Sequence, residues 1–173
     1  PKVVNIRVNA GFLEKEHWIQ NPNVGGGRII GEICHFVDLA QFFTGSKPVN
    51  VSAVSINSEN AELTPNDNIN ITITFQNGSI ANIMYLANGD KSLPKELIEV
   101  FCGGKVGRIL DFRSGYLHSG NKIQKLKLSG KGHKEEVTNF IEVLNSKESE
   151  LISFESLYLT TLTTFKIHDA LTT

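Results

Sequence analysis

The chain has 173 residues, 40% of them hydrophobic and 20% charged, with a formal net charge of −1. That length carries one domain with a substantial core. The balanced charge, without a dense Lys/Arg block, argues against nucleic acid as a partner, and no apolar run reaches the roughly 18–20 residues of a membrane helix.

The chain opens at Pro1-Lys2-Val3-Val4, without a Met and already within an apolar, β-like run, so it reads as a piece of something longer. Over residues 2–10, Val4, Ile6 and Val8 alternate with Val3, Asn5 and Arg7, the pattern of a strand with one better-buried side. A loop then runs from Asn9-Ala10-Gly11 to Gly27, containing His17-Trp18 and Asn21-Pro22, and its length suggests a binding loop. The glycines Gly25, Gly26 and Gly27 lead into a helical pattern that stops at Gly45, with Pro48 just beyond. Ile33, Phe36, Val37, Ala40 and Phe43 form its apolar stripe.

From Val49 to Leu128 the pattern is strand after strand. Val49, Val51, Ala53, Val54 and Ile56 make one, and residues 59–67 read as a polar connecting loop. Ile69, Ile71, Ile73 and Phe75 alternate strictly with polar residues, and Asn77-Gly78 separates them from a second run, Ile80 to Leu86. A two-residue turn there would set Phe75 opposite Ile80 and Ile71 opposite Met84, leaving Thr72, Ile83 and Tyr85 on the other face. Further hairpins are expected around Gly103-Gly104 and Gly120-Asn121. With no helical spacing between these strands, the sheet should be largely antiparallel. Two helices close the chain, one striped by Val137, Phe140, Ile141 and Leu144, the other by Phe154, Tyr158, Leu162 and Phe165 with Ser153 as N-cap. The fold class is therefore α+β, a large mostly antiparallel sheet with helices packed on one face.

At 100° per residue, Glu32, His35 and Asp38 fall together on the polar side of the central helix. A carboxylate one turn before and one turn after an imidazole can fix its tautomer, a geometry suited to a general acid or base. Taken alone, His35 reads equally as a polar-edge histidine of an amphipathic helix. Metal binding is the rival use of the three residues, but no second His stands at i+4, and no metal is assigned. The glycine run is not G-x-G-x-x-G and lies outside any βαβ unit, so it is either a flexible entry or the close-approach wall of a pocket. His118, His133 and His168 lack supporting neighbours, and Lys122, Lys125 and Lys127 read as a solvated strand face. Cys34 and Cys102 have neither metal-ligand spacing nor a disulfide framework, which suggests a reducing, cytoplasmic setting.

On these residues the chain resembles the C-terminal domain of the Gfo/Idh/MocA family of NAD(P)-dependent oxidoreductases. Gly25-Gly26-Gly27, Ile29-Ile30, His35 and Asp38-Leu39 match its G-G-G, aliphatic pair, site histidine and following Asp-Leu. The order of elements matches as well, and the details around His17-Trp18 and Gly31-Glu32-Ile33-Cys34-His35 are most similar to a subgroup fused behind an alcohol-dehydrogenase-like domain. The resemblance implies a dehydrogenase acting on a sugar, nucleotide sugar or polyol, with His35 moving the proton of the substrate hydroxyl. The family aspartate four residues before that histidine corresponds to Gly31, and Glu32 stands one residue later. The expected site is thus His35 and Glu32 for catalysis, with Gly26, Gly27, Arg28, Asp38, His17 and Trp18 binding substrate. NAD or NADP would be held mainly by an N-terminal Rossmann domain absent from these residues, which form a single substrate-binding and oligomerisation domain over 1–173. A homo-oligomer through the sheet is implied. The other class of reading is a non-catalytic oligomerisation module with an open sheet.

Overall fold

A computed structural model describes residues 1–57, 64–128, 130–146 and 152–172. Eight strands form one sheet: β1 (Val3–Asn9), β2 (Pro48–Ser55), β3 (Asn68–Phe75), β4 (Ile80–Leu86), β5 (Glu96–Cys102), β6 (Lys105–Leu110), β7 (Ser114–Ser119) and β8 (Lys122–Lys127), in the order β2-β3-β4-β1-β5-β6-β7-β8. Every pairing is antiparallel except that of β1 with β4. The first strand thus lies in the middle of the sheet. Val4, Ile6 and Val8 are fully buried there, as their strict alternation required.

The helices are α1 (Cys34–Thr44), α2 (His133–Ser146) and α3 (Phe154–Thr172). A π-helical turn over Ile29–Ile33 precedes α1, so the helix expected from the glycine run begins later and wider than regular spacing implies. It ends as expected at Gly45, in the left-handed conformation with its N–H on the Gln41 carbonyl. Ile33, Phe36, Val37 and Ala40 face the sheet and are buried. α3 packs beside α1 and across β2, and Ser153 caps it by accepting from the Ser156 N–H.

Three expectations are corrected. The β3–β4 turn has three residues, not two: Gln76-Asn77-Gly78, with Gly78 at φ +80° and the Gly78 N–H on the Phe75 carbonyl. That turn with a left-handed third residue is a standard hairpin closure. Ile71 therefore pairs with Ile83 and Ile69 with Tyr85, and the one-residue slip puts Ile83 and Tyr85 in the core instead of on the open face. In α3 the aromatics Phe154, Tyr158 and Phe165 are exposed, while Thr160, Thr163, Thr164 and Ile167 are buried. Small side chains let α3 approach α1, and two of the hydroxyls are bonded, Thr164 to the Thr160 carbonyl and Thr160 to Asp38. On α2, Val137, Phe140, Ile141 and Leu144 form a stripe that the described residues leave exposed. The expected loop at 59–67 lies mostly outside the described residues, apart from a 3-10 turn at Pro65–Asp67.

The register has a measurable consequence. Ile83→Ala should lower stability by about 2–5 kcal/mol, the usual cost of truncating a buried Ile. Met84→Ala, one residue on but 40% exposed on the open face, should cost less than about 1 kcal/mol. Chemical denaturation of the two variants checks this, and the reverse order would restore the two-residue turn.

Candidate functional site

The loop before the π turn is built by close contact. His17 caps a 3-10 turn at Trp18–Gln20, its Nδ1 accepting from the Ile19 N–H at 3.3 Å. The Asn21 carbonyl accepts from the N–H groups of Val24, Gly25 and Gly26, which folds the chain back on itself. The return is so tight that a Cβ on Gly25 would stand 2.4 Å from the Ile19 Cα. Glycine at 25 is thus required by the chain's own backbone. Ile19 is buried beneath, whereas His17 and Trp18 remain exposed.

Arg28, at the start of the π turn, is 4% exposed. Its Nη1 donates to the Gly11 carbonyl at 2.7 Å and lies 3.7 Å from Asp67 Oδ2. Its Nε lies 3.9 Å from Glu32 Oε2, and the guanidinium sits 5.3 Å from the centre of the Tyr85 ring. Asp67 accepts in turn from Gln20 Nε2 at 2.6 Å, and the Tyr85 hydroxyl donates to Glu32. Loop, π turn, β4 and the segment before β3 therefore meet on one guanidinium. Burial pushes the Asp67 carboxyl up, against the opposing pull of Gln20 and Arg28. Burial, and then the bond to the Glu32 carboxylate, pushes the Tyr85 phenol far above its ordinary 10.0.

His35 lies exposed on α1. Neither flanking carboxylate is bonded to its ring among the described residues: Glu32 is held by Tyr85, and Asp38 Oδ1 accepts from Thr160 at 3.2 Å. The wide π turn and the packing of α3 along α1 account for both departures from regular spacing. Asp38 also lines a cleft between α1 and α3 with Gln41, Phe42, Lys47 and Ser156. Cys34, next to His35, is a half-buried free thiol with its pKa raised by burial, and Cys102 is a free exposed one. Gly26 and Gly27 both have positive φ, and a Cβ on Gly26 would stand 3.2 Å from the Ile30 Cβ.

Sequence reading passed over Tyr85, Asp67, Gln20 and Thr160. Tyr85 would have emerged from the three-residue β3–β4 turn, which turns it inward. The other three join only through tertiary contact. No three His, Cys, Asp or Glu side chains converge as a metal site among the described residues, and none of their helices is long and apolar enough to cross a membrane. The glycine run does not fit a dinucleotide pyrophosphate. The Ile19 backbone takes up Gly25, Ile30 faces Gly26, and a π turn stands where a phosphate-binding helix would begin.

An eight-stranded, mostly antiparallel sheet with helices on one side, entered through a glycine-rich turn and a helix bearing an exposed histidine, defines an α+β domain of the kind found in two-domain oxidoreductases. Residues 1–101 match the family described as the GFO/IDH/MocA C-terminal domain, and the chain belongs to it. No curated protein matches the sequence at a significant level. Among solved structures, the fold is shared with an NAD-binding oxidoreductase from Klebsiella pneumoniae, at TM-score 0.80 and 15% identity over 98% of this chain and 56% of that one. It is shared with UDP-N-acetylglucosamine 3-dehydrogenase from Acidithiobacillus ferrooxidans, at TM-score 0.79 and 16% identity over 99% and 53%. An aldose-aldose oxidoreductase from Caulobacter crescentus, complexed with glycerol, gives TM-score 0.78 and 15% identity over 97% and 52%. The chain thus spans about half the length of these relatives.

The buried phenol supplies a test of the cluster. A pKa raised on folding stabilises the folded state fully below the ordinary value, and that contribution is lost only as pH rises through the folded one. The Tyr85 phenol should therefore stay protonated while the fold survives. Tyr85→Phe should leave unchanged the tyrosinate absorbance gained by the folded chain on alkaline titration, and should remove its share only after unfolding. A loss of absorbance gain before unfolding would place the Tyr85 hydroxyl in solvent.

Proposed function

We propose that this chain is the substrate-side domain of a nicotinamide-dependent oxidoreductase acting on a hydroxyl of a sugar, nucleotide sugar or polyol. Family membership supports the class, and the exposed imidazole of His35 beside a carboxylate already oriented by Tyr85 carries the reading to these residues. The dinucleotide, NAD or NADP, is held by residues other than those described. His35 takes the proton from the substrate hydroxyl as the carbon is oxidised, and Glu32 stands one turn before it with one oxygen fixed by Tyr85. Asp38, Gly26 and Gly27 line the approach, and the protein works in the cytoplasm.

A positioned acid–base group contributes about 10²–10⁴-fold, so His35→Asn in the intact enzyme should lower kcat by that order. Because His35 is exposed, stability should change by no more than about 0.5 kcal/mol. Steady-state kinetics and a melting curve on the same preparation check both. An early-melting variant with full specific activity would make His35 structural.

A second role is compatible with the first and has its own observation. The sheet face away from the helices carries Val3, Ile80, Phe101 and Ile123, each 38–67% exposed. Neighbouring apolar side chains on a flat open face favour pairing with another such face. The chain should therefore self-associate through this face, and Phe101→Asp should shift sedimentation toward the monomer. A wild-type chain that stays monomeric at high concentration would remove this role.

A further inference from the structure

The chain has one tryptophan, and Trp18 stands 61% exposed. The turn that presents it is nevertheless anchored on both sides. His17 caps it, and Gln20 is bonded to buried Asp67 at 2.6 Å. Between them Ile19 is driven into a notch between two glycines. A Cβ on Gly25 would stand 2.4 Å from Ile19 Cα and 2.7 Å from its carbonyl oxygen, and one on Gly31 would stand 3.2 Å from Ile19 Cδ1. Gly31 lies on the π turn, one residue before Glu32 and four before His35. From Gln20 the contacts continue through Asp67 and Arg28 to Glu32. The ring is thus held outward by the same contacts that hold the carboxylate, so the two keep a fixed relation.

We infer that Trp18 is a specificity-determining platform of this site, on which the C–H face of a pyranose or cyclic polyol rests while its hydroxyls meet Glu32 and His35. The inference rests on the oxidoreductase reading and deepens it. A sugar ring has an apolar face of C–H bonds and a rim of hydroxyls. An anchored indole offers a large, stiff surface to the first at small entropic cost, and a fixed carboxylate accepts from the second. A few placed polar groups beside an aromatic wall are the usual make-up of a small-ligand site.

Because Trp18 is the sole indole, its emission reports on the platform directly. The wild-type chain is titrated with UDP-N-acetylglucosamine, D-glucose and glycerol as probes. At least one ring-bearing probe should change the emission saturably, and ringless glycerol should not. Gly25→Ala, at a position with ordinary φ, pushes on the Ile19 backbone and should weaken that response on the order of tenfold or more, with far-UV circular dichroism unchanged. Trp18→Ala, a surface change that leaves the fold intact, should raise KM of the intact enzyme for ring substrates by a similar factor with kcat kept, and Trp18→Phe should restore most of it. Absence of any saturable response in the wild type, or an unaltered KM in Trp18→Ala, would overturn the platform. Should Trp18→Ala leave KM unaltered while His35→Asn lowers kcat, the platform alone fails. If His35→Asn leaves kcat unchanged, the reading beneath it fails.

Discussion

The three-residue turn Gln76-Asn77-Gly78 decides which side chains of β4 face the helices, and the centre of the molecule depends on that choice. With Phe75 accepting from Gly78 and donating to the Ser79 carbonyl, β4 meets β3 in a register that sends Ala81, Ile83 and Tyr85 inward. Since β1 pairs in parallel with β4, Val4, Ile6 and Val8 take the same side. A slip of one residue would put Met84 beneath α1 and Tyr85 in solvent. It would also leave Glu32 without its donor, so a turn at one end of the sheet governs a carboxylate near the other.

Arg28 is the second constraint, and it is electrostatic. A buried guanidinium is tolerated only where carboxylates and carbonyls replace water. Here Gly11, Asp67 and Glu32 do so, with the Tyr85 ring face against the cation. Because each partner comes from a different segment, loss of the cation would leave Asp67 buried without its counter-charge and Gly11 without its donor. A loop that would otherwise be held by scattered surface contacts is thereby tied to the start of the helix that bears His35. Charge burial here serves position more than net stability, since such clusters seldom repay their desolvation in full.

The strands were legible in the sequence because alternation is a local signal. Ile69 to Phe75 and the glycine-rich turns at 103–104 and 120–121 needed no tertiary information, and each stands where its pattern put it. The parallel insertion of β1 beside β4 was not legible, since nothing local distinguishes a strand that pairs next in sequence from one that pairs some 77 residues away. Helix faces failed for a different reason. In α3 the threonines are buried because they can bond Asp38 or their own helix while allowing a close approach, and hydrophobicity alone assigns that face to the aromatics. The network around Arg28 joins residues 11, 20, 28, 32, 67 and 85, which only the folded chain brings together.

The open face of the sheet is organised by the same registers. Ser52, Thr72, Asn82, Asn5, Glu99, Arg108, Tyr116 and Lys125 stand opposite one another in a single row across all eight strands. Within it the Thr72 hydroxyl donates to Asn82, the Asn82 amide donates to Asn5 at 3.0 Å, and Arg108 pairs with Glu99 at 3.6 Å. Beside this polar row runs an apolar one containing Ile80, Val3, Phe101, Val106 and Ile123. A partner face that covers the apolar row must also meet the polar one, and a displaced partner would leave amides and charges desolvated without bonds. Alternating rows therefore give this face adhesion and alignment together. A uniformly apolar sheet would supply only the adhesion.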